Sequence, residues 1–497
     1  MRPDSSSIPI DRRSLIGGSA ALAACTAFSG CTGKRSPVDV PTPRPLPRFY
    51  EDIEKRTFGF FWETVNRSNG LVPDRWPTSS FSSIAAVGFA LAAYAVGVER
   101  GWCSRADARD LTLTTLRFFW SAPQGPGTSG VAGHEGFFYH FLDMQTGHRF
   151  KQAELSSVDT TILLMGVLFV AQFYNREHPA EDEIRHLANA IYARANWNFF
   201  RQDGRAAISM GWHPETGLID RNWDGYNEGM FIYILALGAP VHPVPPSSWE
   251  QWTAPYGRYW RGTGDTRHLA FAPLFGHQSS HVWVDFRGIY DARMRAAGFD
   301  YFENSRRATY ADRAYCAANP MHWEGYSADV WGLTACDGPG NFKLRYKGET
   351  RKFYGYSARG PLGQPDGLDD GTIAPTAALG SLPFAPEIVI PCASAMLREH
   401  GPRIFSQYGF LDSFNPSFKT SDLKLETGSV DSRYGWVARD YIGIDQGPIL
   451  LQAANYRDDF VWRHMRQVDA IRLGLERAGF TGGWLGRIQP NARAPSG

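Results

Sequence analysis

The strongest constraint on this chain is an alternation between two kinds of helical segment. "SSIAAVGFALAAYAVGV" (82–98) carries no charge on any face, whereas "SRADARDLTLTTLRFFW" (104–120), which follows it, has one polar side. "SSVDTTILLMGVLFVAQFY" (156–174) and "DEIRHLANAIYARANWNFF" (182–200) repeat the pair. So do "NEGMFIYILALG" (227–238) with "SSWEQWTAPYGRYW" (247–260), and "GPILLQAANY" (447–456) with "DDFVWRHMRQVDAIRLGLERAG" (458–479). A helix apolar all round must be enclosed, and one with a polar face sits outside it. Two-residue strand alternation is scarce. The pattern predicts an all-α fold of two concentric rings, an α/α toroid of about six pairs, although 260–400 does not divide cleanly.

In such a ring the inner helices run parallel, so their N-termini share one rim. The polar residues that open the apolar runs should meet there: Asp159 in "SSVDTT", Glu228 in "GYNEGM" and Asp445 in "GIDQGP". Each also has a structural reading. Ser156 and Asp159 approximate a capping box. Glu228 has no Ser or Thr three residues upstream, which leaves only a favourable place in the helix dipole. Asp445 lies between Gly443 and Gly447, ahead of Pro448, where a turn and a helix start are expected anyway. Cleaving a glycosidic bond needs one protonated carboxyl and one ionised carboxylate. Glu228, leading into the most apolar run, suits the desolvated acid, and Asp445 among glycines suits the hydrated base.

Composition narrows the alternatives. The formal net charge is +1, with 51 Lys and Arg against 50 Asp and Glu, so nothing steers the chain to nucleic acid. Aromatic residues reach 14%, including 16 Trp and 21 Tyr, a supply of flat rings that can stack on sugars as well as fill a core. "HEGFFYH" (134–140) lacks zinc-protease spacing and "GQPDGLDDGT" misses the calcium-loop pattern. No nucleophile elbow, phosphate loop or dinucleotide fingerprint is present. No metal and no cofactor are expected.

Residues 1–31 read as an export address. Arg12-Arg13 precedes a short apolar stretch, a partial twin-arginine match, and "LAAC" ending at Cys25 resembles a lipobox, with "FSGC" a weaker second. Lipidation at Cys25 would anchor the protein in the periplasm or on the outer membrane, its only membrane attachment. Residues 32–46 form a Pro-rich linker, 47–485 one catalytic domain and 486–497 a flexible tail. Cys103, Cys316, Cys336 and Cys392 show no paired spacing, and buried free thiols are favoured over a disulfide.

"SSVDTTILL", "GYNEGMFIYILALG", "YFENSRRATYADR", "WGLTACDGP", "DGTIAPTAALGSLPFAPE", "YGFLDSFN" and "GIDQGPILLQAANYR" together resemble glycoside hydrolase family 144, the bacterial glucoamylase-like proteins. The resemblance spans about residues 50–475. It implies an (α/α)6 barrel and endo-acting, inverting hydrolysis of β-1,2-glucan to sophorose and longer oligosaccharides, by a protein expected to be a monomer. It makes Glu228 the general acid and Asp445 the base. Glu154, Asp159 and Asp337 become subsite or supporting acids, and Trp212, Tyr226, Trp331 and Arg306 sugar contacts. The Gly-rich basic insert at 346–370 could convert endo action to exo release of sophorose. Other readings on the same fold are a transglycosylase, an α-glucan glucoamylase or a non-catalytic glycan-binding lipoprotein.

Overall fold

The computed structural model describes residues 41–201 and 205–486. The export signal, Cys25 and its lipobox, most of the Pro-rich linker and the tail from 487 lie outside the described residues. Where the linker enters the description it is already packed: the Arg44 amide donates to the Arg457 carbonyl (2.7 Å), and Leu46 is buried.

Among the described residues six largely buried helices form the interior: α1 (Ile84–Glu99), α2 (Ser157–Phe173), α3 (Met230–Gly238), α4 (Phe275–Trp283), α5 (Pro375–Leu379) and α6 (Gly443–Asp458). In α1, α2 and α3 nearly every residue is buried, as their apolar sequences require. Each touches the next. α1 packs on α2, and α2 on α3. The Phe231 amide of α3 donates to Ser280 Oγ of α4 (3.2 Å), and Gln278 Nε2 of α4 to the Ala377 carbonyl of α5 (2.7 Å). α5 packs on α6, and α6 returns to α1. The α1–α2 contact is close enough to need glycines: a Cβ on Gly166 would stand 2.1 Å from the Gly88 carbonyl oxygen, and one on Gly88 2.4 Å from that of Ile162.

Amphipathic helices cover this interior. Arg105–Ser121 buries Ala108, Leu111, Thr112, Thr115, Leu116 and Phe119, one stripe at helical spacing. It is capped by Ser104, whose Oγ accepts the Asp107 amide at 3.0 Å. Pro179–Ala193 packs outside α2, Asp469–Arg477 outside α3, Tyr301–Ala318 outside α4 and Pro386–Ile404 outside α5. The fold is predominantly helical, as expected. Short strands decorate the loops, and among the described residues no sheet exceeds three strands. No helix among them is long and apolar enough to cross a membrane.

Three findings depart from the sequence reading. Asp469–Arg477, in the segment expected to cover α6, packs outside α3 instead, and the region 260–400 supplies the two remaining inner helices, α4 and α5. The insert at 346–370 begins earlier, as a hairpin of Phe342–Tyr346 and Glu349–Phe353. Pro448 lies inside α6 instead of opening it, because the helix already starts at Gly443, whose amide donates to the Asp74 carbonyl (2.8 Å). The four described cysteines are free thiols, three of them buried.

Candidate active site

Asp159, Glu228 and Asp445, far apart along the chain, line one cavity of about 330 Å3. Each stands at the start of an inner helix. Asp159 and Asp445 occupy the first turns of α2 and α6, and Glu228 sits two residues before α3.

On one side the loop Gly225–Gly229 presents Glu228. Asn227 Oδ1 accepts the Gly229 amide (2.8 Å), and Ser280 Oγ donates to the Glu228 carbonyl (3.2 Å). These bonds fix the backbone and leave the Glu228 carboxyl with no side-chain partner among the described residues. Burial, reinforced by the negative charge of Asp159 and only partly offset by His140, raises its pKa to about 8. Asp159 is itself a cap: Ser156 Oγ accepts its amide (3.1 Å) and donates to its Oδ2 (2.6 Å). The capping and cavity roles coexist. His140 Nδ1 lies 2.8 Å from Glu154 Oε1 and its Nε2 3.5 Å from Asp159 Oδ1. Burial opposes a charged imidazole here, but Asp159, Glu154 and Asp74 outweigh it and hold the pKa at about 9.

His140, Glu154 and Asp159 bring one ligand-type atom each within 4.8 Å of one another. In the structure the three groups form an ion-pair network centred on the His140 imidazole.

The opposite side is acid-rich. The strand Arg75–Trp76 pairs with Tyr441–Ile442, which leads directly into α6, and so sets Arg75 beside Asp445 at the cavity wall. Arg75 meets Asp337 (2.9 Å), Asp74 (3.3 Å) and Asp440 (3.7 Å). Behind them, Asp412 Oδ2 accepts the Asp337 amide (2.7 Å) and the Ser413 hydroxyl (3.0 Å). Burial and Asp337 raise Asp412 to about 7, and burial and Asp412 raise Asp445 well above the usual carboxylate range. Asp412 Oδ1 and Asp445 Oδ2 are both buried with no other hydrogen-bond partner, and the two carboxyls bond to each other. Two such neighbours resist ionising together, so the pair gains its single negative charge only near pH 7 and holds its other proton well past the usual carboxylate range.

The remaining expected contacts divide. Glu154 belongs to the His140 network, and Asp337 supports Arg75 from behind. Trp212 is part-exposed on the strand beside Leu155, its ring against His134 and Phe199, outside the cavity lining. Tyr226 does not present its ring to a sugar: it is enclosed, with its hydroxyl 3.1 Å from His277 Nδ1. Trp331 is fully buried in a second hydrophobic cluster. Arg306 lies on an outer helix, paired with Glu387 at 2.7 Å. Large aromatic residues are as useful to a core as to a binding cleft, and sequence alone does not separate the two uses.

Sequence reasoning missed Arg75, His140, Asp412 and the cavity aromatics Phe81, Phe141 and Tyr356. Phe81 and Phe141 pack with their rings tilted and their centroids 4.2 Å apart to form an apolar wall. Signals existed: "HEGFFYH" ends in His140, and the block "YGFLDSFN" contains Asp412.

A family model described as "Putative glucoamylase" matches residues 220–469. The chain is 25% identical over 451 residues to an exo β-1,2-glucooligosaccharide sophorohydrolase (non-reducing end) of Parabacteroides distasonis, covering 86% of this chain. It spans 57% of that relative's length. Among solved structures it resembles a "putative glucoamylase" of Bacteroides uniformis (TM-score 0.75, 29% identity, 89% of this chain and 100% of the other). It also shares the fold of an endo-β-1,2-glucanase of Chitinophaga pinensis solved with sophorotriose and glucose (TM-score 0.74, 24% identity, 89% and 100% covered).

Proposed function

We propose, from the premise that the chain belongs to the "Putative glucoamylase" family of glycoside hydrolase 144 type, that it hydrolyses β-1,2-glucan with inversion, on an (α/α)6 barrel. The observation that carries this reading is the contrast across one cavity. Glu228 is unpartnered and holds its proton up to about pH 8, while the Asp412–Asp445 pair gives up its first proton lower, near pH 7. Glu228 donates its proton to the glycosidic oxygen as the bond to the anomeric carbon breaks. A water on the other face of the sugar attacks that carbon and gives up its proton to the carboxylate pair. Arg75, fixed by Asp74, Asp337 and Asp440, is a charge-paired donor for sugar hydroxyls, and the Phe81–Phe141 wall offers a face for a pyranose ring.

The action is endo in this reading. A second reading, exo release of sophorose, is favoured by one observation: the bend after the 342–353 hairpin brings Tyr356 into the cavity lining. Both are tested by incubating the protein with linear β-1,2-glucan between pH 4 and 8 and following reducing ends and product lengths. An early spread of chain lengths supports endo cleavage, and a single early disaccharide supports exo cleavage. No reducing ends at any pH, or faster hydrolysis of starch, overturns the proposal.

A further inference from the structure

Five of the chain's eight lysines, Lys343, Lys347, Lys352, Lys419 and Lys424, cluster in one stretch, with only Lys34, Lys55 and Lys151 elsewhere. Three of them lie on the hairpin Phe342–Phe353. Its register sets Phe342 opposite Phe353, Arg345 opposite Thr350 and Lys343 directly opposite Lys352. One face is apolar and turned inward: Phe342 meets Phe418 at 5.6 Å, and Tyr346 and Phe353 meet Trp323 at 5.0 and 5.7 Å. The other face exposes Lys343, Arg345 and Lys352, with Lys347 at the turn.

Like charges directly opposite across two strands are destabilising. Among the described residues no carboxylate pairs with Lys343, Arg345 or Lys352; Arg345 donates only to the Gly348 carbonyl beside it (2.9 Å). A neutral glucan gains nothing from this row. Beyond the hairpin the chain bends through Gly355 to Tyr356 in the cavity wall, and Ser357–Ala358 pairs with Ala335–Cys336, of which Ala335 also lines the cavity. The row therefore borders the active site.

We propose that the exposed face of this hairpin binds glucan chains carrying anionic substituents and draws them toward the cavity. This rests on the hydrolase reading for its consequence, though not for the binding itself. An anionic membrane is a poorer match, because interfacial binding also requires an apolar face in contact with lipid, and the large apolar side chains of the hairpin point inward. Charge attraction of this kind acts mainly on capture and fades as salt screens it.

The test compares wild type with the combined variant Lys343→Gln, Arg345→Gln, Lys352→Gln on linear β-1,2-glucan, unmodified and lightly succinylated. At low salt the variant is expected to lose about tenfold in kcat/KM, chiefly through KM, on the succinylated polymer only, and to converge with wild type at high salt. Equal treatment of both polymers by both proteins overturns the proposal. So does retention by anionic phospholipid vesicles without retention by succinylated glucan. Direct binding of the succinylated polymer, measured by affinity electrophoresis, decides the row even if neither protein cleaves either glucan, an outcome that would defeat only the hydrolase reading.

Discussion

The two walls of the cavity use the same residue types and reach opposite results. On the Glu228 wall a single imidazolium, His140, sits between Glu154 and Asp159, and Glu228 is left with no partner of its own. On the Asp445 wall the one cation, Arg75, is shared among Asp74, Asp337 and Asp440, and does not reach the Asp412–Asp445 pair as an ion-pair partner. Asp159 and Asp445 both occupy the first turn of an apolar helix. A helix N-terminus ought to favour the ionised form of each, by about 0.3–1 kcal/mol at an exposed site. Burial and neighbouring carboxylates overturn that preference, and the pKa values of both are raised. Proton affinity here is set across helices rather than within them.

The largest effect that could break the comparison is removal of one acid from each wall. Glu228→Gln is expected to lower kcat on β-1,2-glucan by ~10³-fold or more, since it removes general acid catalysis and its electrostatics together. Asp445→Asn should be similarly damaging. An aryl β-sophoroside with a nitrophenolate leaving group separates them. That bond breaks without a proton donor, so Glu228→Gln should recover most of its rate and Asp445→Asn should not. Recovery by both variants, or by neither, would remove the assignment of acid to one wall and base to the other.

Much of this arrangement was legible in the sequence because burial of a whole helix leaves a simple trace. Apart from Asp159 and the terminal Glu99, α1, α2 and α3 carry no charge, and Asp159 and Glu228 at the mouths of α2 and α3 stand out for that reason. α4 escaped notice because "FGHQSSHVW" reads as polar. Its polar groups are satisfied by neighbouring helices: Gln278 by the Ala377 carbonyl and Ser381, His281 by Ser305, Ser280 by the Glu228 carbonyl. Such pairings cross long sequence separations and leave no local signal. α5 has five residues, too few to show a period. The site divides in the same way. Acids at helix starts could be found, whereas Arg75 and His140 arrive from short strands whose partners, Tyr441–Ile442 and the Glu154 segment, only the fold supplies.

A smaller change sharpens the comparison through pH. The rate should fall above about pH 8 as Glu228 ionises. Asp159→Asn removes the negative charge that helps raise Glu228, while His140, still held charged by Glu154 and Asp74, continues to favour the carboxylate. Glu228 then ionises at lower pH. The alkaline limb of the kcat profile should move down by roughly one pH unit, whatever happens to the plateau rate. A limb that stays in place would show that burial alone sets the Glu228 proton.

The smallest effect separates capping from catalysis on neighbouring helices. Ser83 caps α1 by accepting the Ala86 amide (3.4 Å), and Ser156 caps α2 by accepting the Asp159 amide (3.1 Å). Either serine changed to alanine should cost about 1 kcal/mol of stability by denaturant unfolding. Only Ser156 also donates to the Asp159 carboxylate, and that bond favours the ionised form. Ser156→Ala should leave Asp159 ionised less readily, weaken its push on Glu228 and draw the alkaline limb slightly downward. Ser83 also lines the cavity but makes no bond to Asp159, so Ser83→Ala should leave the limb in place. If both variants move the limb equally, the effect comes from loosened helix starts, and the Asp159–Glu228 interaction is not what holds the acid protonated.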